Sequence, residues 1–165
     1  MSGVFSFPNP VNEVSARLVA AGVVLIALVA LVFQVEWLLP VLAYGFVARV
    51  LSGPTLSPLG QLVTRVVTPR APFAYREAPG PAKRFAQGMG AVMSVSAVIL
   101  YFGFGLHTAA WVLCGVIVVA ATLESAFGVC IGCKVFAVLM RAGVVPEAVC
   151  ADCANIWARA ERAPA

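Results

Sequence analysis

The sequence predicts an all-α integral membrane protein, with four transmembrane helices in two helical hairpins and a short cytoplasmic helical tail. Three observations predict it. The 165 residues are 62% hydrophobic and only 11% charged, with a mean hydropathy of +0.99, whereas soluble domains carry about 25% charged residues. The apolar residues fall into uncharged runs close to the length of a membrane helix. The Lys and Arg residues gather between and after these runs, as membrane topology demands. The net charge of +4 forms no basic stripe interleaved with aromatic residues, so no nucleic-acid partner is expected. The partner implied by composition is the lipid bilayer. Residues 1–133 are expected to form the transmembrane domain and 134–165 a cysteine-containing cytoplasmic tail.

The elements follow in order. Pro8 and Pro10 lead to Asn12 and Ser15, either of which can cap a helix. No Lys or Arg precedes Arg17, so no cleavable signal peptide is expected. Leu18 to Val35 is the first span. Glu36 and Trp37 mark an interfacial turn, where Trp prefers to sit. Trp37 to Leu51 is a shorter second span, with Arg49 near its end expected to snorkel to the headgroups. Ser52 to Arg84 is rich in proline and cations. This places it on the cytoplasmic side, with Leu59 to Val67 as a short interfacial helix. Phe85 to Leu106 is the third span, and His107 follows in a turn. The fourth runs from Thr108 past Glu124 to Cys133. A helix stop is expected at Arg141-Ala142-Gly143, and an amphipathic helix from about Pro146. With cations in the central loop and tail and none in the two opposite turns, both termini are expected in the cytoplasm.

Four of the five cysteines lie in two C-x-x-C motifs, Cys130–Cys133 and Cys150–Cys153, with sixteen residues between them. A rise of about 1.5 Å per residue from Thr108 puts Glu124 roughly 24 Å and Cys130 about 33 Å inward. Cys130 thus falls just past a hydrocarbon core of about 30 Å, in a reducing compartment. Two chemistries fit. The spacing C-x2-C-x16-C-x2-C matches a structural zinc site, because each C-x2-C turn offers two thiolates to one tetrahedral ion. A metal would also staple a tail too small to bury its own core. Alternatively, the pairs are working dithiols, with Lys83, Arg84 and Lys134 lowering thiol pKa values. Glu124 is an intramembrane ionisable group and hence a candidate functional residue, or else an ion-pair partner for Arg84. Cys114, on an apolar face, is expected to pack. Gly128 and Gly132 form a small-xxx-small contact.

Several stretches also carry a family resemblance: Pro10-Val11-Asn12-Glu13, Gly53-Pro54, Ser57-Pro58, Arg84-Phe85-Ala86-Gln87, Gly128-Val129-Cys130-Ile131-Gly132-Cys133, and Pro146-Glu147 ahead of Cys150-Ala151-Asp152-Cys153. With these residues the chain resembles an uncharacterised family of small bacterial membrane proteins, domain of unknown function 4395. The resemblance implies a bacterial membrane protein whose relatives are often encoded near thioredoxin-like or sulfurtransferase proteins, which favours the thiol reading over a purely structural metal. The location expected is the inner membrane. The resemblance also implies that Cys130 and Cys133 are the essential pair, since some relatives lack the second.

The expected function is thiol–disulfide or sulfur relay, with Cys130 and Cys133 exchanging, Cys150 and Cys153 resolving or receiving, and no cofactor. One alternative is a scaffold holding zinc on the same four cysteines. The other is a small transporter for a sulfur-containing solute or soft metal, with Glu124 and Cys114 along its path. Four short helices leave little room for a pore, so a transporter would require a homo-oligomer.

Overall fold

The computed structural model describes residues 11–70, 77–146 and 149–150. Helix α1 spans Glu13–Phe33 and starts on a polar cap: the Asn12 side chain accepts the Val14 N–H, with Glu13 in the first turn. An anion there is favoured by the helix dipole. The helix ends at Gln34, which adopts a left-handed conformation with φ of 52°. Helix α2, Leu38–Ser52, is stopped by Gly53 at φ 61° and the following Pro54. Its 15 residues span about 22 Å at 1.5 Å per residue. That is shorter than a bilayer core of about 30 Å.

Helix α3, Pro58–Leu62, is capped by Ser57 and runs on through a π-helical turn at Val63–Val67 and a 3-10 turn at Thr68–Arg70. Leu59 packs against Gly22 of α1, while Leu62, Val66 and Val67 stay exposed. The segment is therefore anchored to the bundle as well as facing outward. An element that the helical reading omitted is a short antiparallel pair of β1, Val11–Asn12, with β2, Glu77–Ala78. It ties the start of α1 to the approach to the next helix.

Helix α4, Gly80–Val98, continues through a π-helical stretch at Ile99–Gly103. It begins five residues before Phe85 and carries Lys83 and Arg84 in its first turns. Helix α5 is His107–Phe127 and helix α6 is Ile131–Arg141. The expected stop after Arg141 is present, with Gly143 at φ 75°. Three helices are long and apolar enough to cross a membrane: α1, α4 with its π-helical extension, and α5. The apolar α2 is shorter.

The most extensive packing joins α1 to α5 and α2 to α4. The core between them holds Val23, Ala27 and Ala30 of α1, Leu42 and Phe46 of α2, and Cys114 and Ile117 of α5. Small residues set the approach. Ala27 and Ala30 have no exposure, and a methyl group on Gly90 of α4 would overlap the Phe46 ring. The opposite faces present Leu25, Val29 and Val32 of α1, Val92 of α4, and Val112, Val116 and Val119 of α5. An apolar surface of this extent is compatible with lipid rather than water.

Candidate functional site

Helix α5 does not continue to the first cysteine. It ends at Gly128, which takes a left-handed φ of 66° that disfavours any residue with a Cβ. The chain then turns through Val129 and Cys130 before α6 begins. Cys130 is thus the N-cap of a new helix, not the end of a spanning one. Its sulfur accepts the Cys133 N–H at 3.4 Å, and the Cys133 thiol lies 2.7 Å away and donates to it. Residues three apart face the same side of a helix, and the cap places the first sulfur against the α6 amides. Gly132 lets this turn press onto α4, since a Cβ there would overlap the backbone and side chain of Ala86.

The two thiols are thereby made unequal. The hydrogen bond from Cys133 pulls the Cys130 thiol below its ordinary value despite the opposing effect of burial, with Lys83 contributing attraction. The bond it makes to Cys130, together with burial, pushes the Cys133 thiol far up. These directions make Cys130 the more acidic thiol of the pair. Amides at a helix N-terminus favour the same assignment.

Charged groups from four helices gather at this end of the bundle. Lys83 Nζ pairs with Glu124 Oε1 at 2.6 Å, and both side chains are largely buried. Arg17 of α1 donates to the Ser125 and Ala126 carbonyls at 2.9–3.2 Å, satisfying acceptors that the end of α5 leaves open. Arg49 of α2 donates to Gln87 Oε1 at 3.0 Å and to Ser57 Oγ at 3.3 Å, and its guanidinium stands 4.7 Å from the centre of the Phe46 ring.

Of the predicted site residues, Cys130 and Cys133 are brought together, with Glu124 close enough to act on both electrostatically. Cys150 belongs to the same apolar cluster as Ala82, Phe136 and Met140, against which Cys133 packs, and it is disulfide-bonded. Cys153 lies outside the described residues, as does the helix expected to follow Pro146. Among the described residues, no three His, Cys, Asp or Glu side chains converge as metal ligands. Lys83 has the expected place beside the thiols. Arg84 does not pair with Glu124: it is exposed and donates to the Val50 carbonyl. Lys134 is exposed as well. Cys114 is fully buried between α1 and α5, its thiol 3.7 Å from the Ala27 carbonyl, as a packing residue would be. Arg49 is the residue that sequence reasoning missed. Instead of snorkelling outward it turns into the protein and is only 5% exposed. The available signal was a set of polar residues (Ser52, Ser57, Gln87) inside apolar surroundings, each needing a partner.

A family model described as Domain of unknown function (DUF4395) matches residues 11–141. No curated protein and no solved structure matches the chain.

Proposed function

The chain belongs to the DUF4395 family, and from that premise we propose that it is a membrane-bound thiol–disulfide relay protein worked by the Cys130–Cys133 dithiol. The observation that carries this reading is the sulfur pair at the α6 N-terminus, where Cys133 donates to Cys130 at 2.7 Å. Both sulfurs stand on one side of the α6 N-terminus within reach of each other, as a dithiol that closes to a disulfide requires.

The exchange runs in two steps. The Cys130 thiolate attacks one sulfur of a partner disulfide, forming a mixed disulfide and expelling a partner thiolate. Cys133 then gives up its proton to that departing thiolate or to water and attacks the Cys130 sulfur. This forms the Cys130–Cys133 disulfide and releases the second partner thiolate. Two electrons pass from the dithiol to the partner. Lys83 supports the first step by holding positive charge beside Cys130, while Glu124 anchors Lys83. Cys150, packed in the same cluster, is itself disulfide-bonded and so would receive electrons. The Cys130 thiolate attacks that disulfide and expels a thiolate, and Cys133 then closes the Cys130–Cys133 disulfide and releases the second one. A soluble thioredoxin-like or sulfurtransferase protein is the partner class this chemistry calls for.

The same reading sets the protein in the bacterial inner membrane with both termini cytoplasmic. In its support, described cations flank the dithiol end of the bundle, whereas the turns at Glu36 and His107 carry none. On this reading α2 crosses as a short fourth helix.

The test is trapping. Full-length protein with Cys133→Ser should accumulate a mixed disulfide with a thioredoxin-like partner through Cys130, whereas Cys130→Ser should form none. Equal trapping by the two variants, or exchange unchanged by Cys130→Ser, would overturn the proposal.

A further inference from the structure

A cavity of about 140 Å³ opens between the first turn of α1, the end of α2, α3 and the first turns of α4. It has many times the roughly 10–15 Å³ needed to admit one water. Its polar lining comes from Asn12, Ser15, Arg49, Thr64, Lys83 and Gln87. We propose that it is a binding site for a phosphate- or sulfate-type oxyanion, gripped by the Arg49 guanidinium.

Charge comes first. Two buried cations, Arg49 and Lys83, line the cavity. The carboxylate of Glu124 is paired with Lys83 and acts on Arg49 only through space, and no carboxylate among the described residues forms a contact ion pair with Arg49. A buried charge without a counter-ion is costly, and an anion in the cavity would supply one.

Donor geometry points the same way. The Gln87 carbonyl oxygen is used in accepting Arg49 Nε, and the Asn12 carbonyl oxygen in capping α1. Both side chains therefore leave their amide donors, Gln87 Nε2 and Asn12 Nδ2, without a protein acceptor among the described residues. Arg49 spends Nε and Nη1 on Gln87 and Ser57, leaving Nη2 in the same condition. The lining thus offers donors from three elements around a net positive charge, the combination that recognises an oxyanion. The site shares Lys83 with the dithiol end, but its grip rests on Arg49, Gln87 and Asn12, which the thiol steps do not use.

Two sources carry this chemistry: a free inorganic oxyanion, or the headgroup phosphate of an anionic lipid. The experiment uses full-length protein in a maltoside detergent free of phosphate and sulfate. Thermal unfolding is followed at constant ionic strength while inorganic phosphate is added, with chloride as the control. In parallel, native mass spectrometry follows retention of added phosphatidylglycerol. The variant is Gln87→Glu, which keeps the side-chain shape and gives Arg49 an internal carboxylate. It should raise the unfolding temperature in the absence of anion and weaken binding at least about tenfold. Arg49→Lys, which keeps the charge but loses the fork, should weaken binding while retaining the fold.

Saturable stabilisation by phosphate over chloride, lost in Gln87→Glu, establishes a free-oxyanion site. Retention of one phosphatidylglycerol without a phosphate response, again lost in Gln87→Glu, establishes the lipid source. Wild-type protein that responds to neither probe, or binding that Gln87→Glu leaves intact, overturns the proposal.

Discussion

The two ends of the helix bundle solve the problem of meeting a polar boundary in opposite ways. At the end where α1 and α4 begin and α2 and α5 finish, polarity is drawn inward. Lys83 meets Glu124, Arg49 meets Gln87 and Ser57, Arg17 covers the last carbonyls of α5, and a dithiol caps α6. At the other end polarity stays at the rim. Trp37 and Phe104 are exposed, and Tyr101 packs on Phe102, His107 and Trp111 with ring centres 4.3–5.7 Å apart. The carboxylate there, Glu36, accepts one hydrogen bond from the Tyr101 hydroxyl. Aromatic rings are at home in a headgroup layer and need no special arrangement there. Buried ion pairs incur a desolvation penalty of several kcal/mol per ion. Where a small protein accepts that cost, chemistry is the first explanation to test.

The largest expected effect is that of Cys130→Ser. Loss of the capping thiolate should abolish disulfide exchange while α6, still capped by a hydroxyl, keeps its helicity by circular dichroism. The pH dependence gives the same contrast. Because the Cys130 thiol is held below its ordinary value by the Cys133 hydrogen bond, its alkylation rate should level off below the pH of about 8.5 typical of a free thiol. A thiol whose folded pKa is depressed stabilises the fold above its unfolded pKa and loses that contribution as pH falls through the folded value. Cys133, pushed upward, acts in the reverse sense: its contribution is present below the unfolded pKa and lost as pH rises. Cys133→Ser should remove the donor and move the Cys130 alkylation midpoint up towards the ordinary range.

Next in size is the ion pair. Glu124→Gln leaves Lys83 buried without its counter-ion and should destabilise the fold by about 3–5 kcal/mol, whereas Glu36→Gln at the rim should cost no more than about 1 kcal/mol. Comparable losses in denaturant unfolding would show that the two ends are energetically alike. Gly132→Ala ranks below these. The methyl group collides with Ala86 and should cost about 1–3 kcal/mol. Gly115→Ala on α5 meets no neighbour within 4 Å and should be neutral or slightly stabilising.

The aromatic end was more legible in the sequence than the dithiol end. Its turn residues lie adjacent in the chain, and interfacial preference is a local property. The apolar runs were legible as well, because a bilayer imposes composition over a whole segment. The dithiol end depends on tertiary pairings. Arg49 finds Gln87 38 residues away, and Lys83 finds Glu124 41 residues away. Depth arithmetic set Glu124 at the level of the third helix's start, but the partner expected there, Arg84, was the wrong one of two adjacent cations, since Lys83 and Arg84 point about 100° apart around one helix. The break before Cys130 was hidden for a different reason. Val129 and Ile131 continue the apolar pattern, and hydropathy does not distinguish a helix that continues from one that turns at a glycine and restarts.

The smallest expected effect tests the quieter end by itself. Tyr101 sits in the π-helical stretch Ile99–Gly103, and its hydroxyl donates to Glu36 Oε2 at 2.8 Å across the turn between α1 and α2. Tyr101→Phe keeps the ring contacts with His107 and Trp111 and deletes that bond alone. Water can replace the lost donor for Glu36 at this exposed position, so the loss of stability should be the smallest of the series. Alkylation of Cys130 should be unaffected, because the two groups lie at opposite ends of α4. A Tyr101→Phe protein that unfolds as readily as Glu124→Gln, or that alters the Cys130 pH profile, would mean that the π-helical stretch transmits strain along α4. The bundle would then behave as one coupled unit instead of an inert aromatic anchor joined to a reactive end.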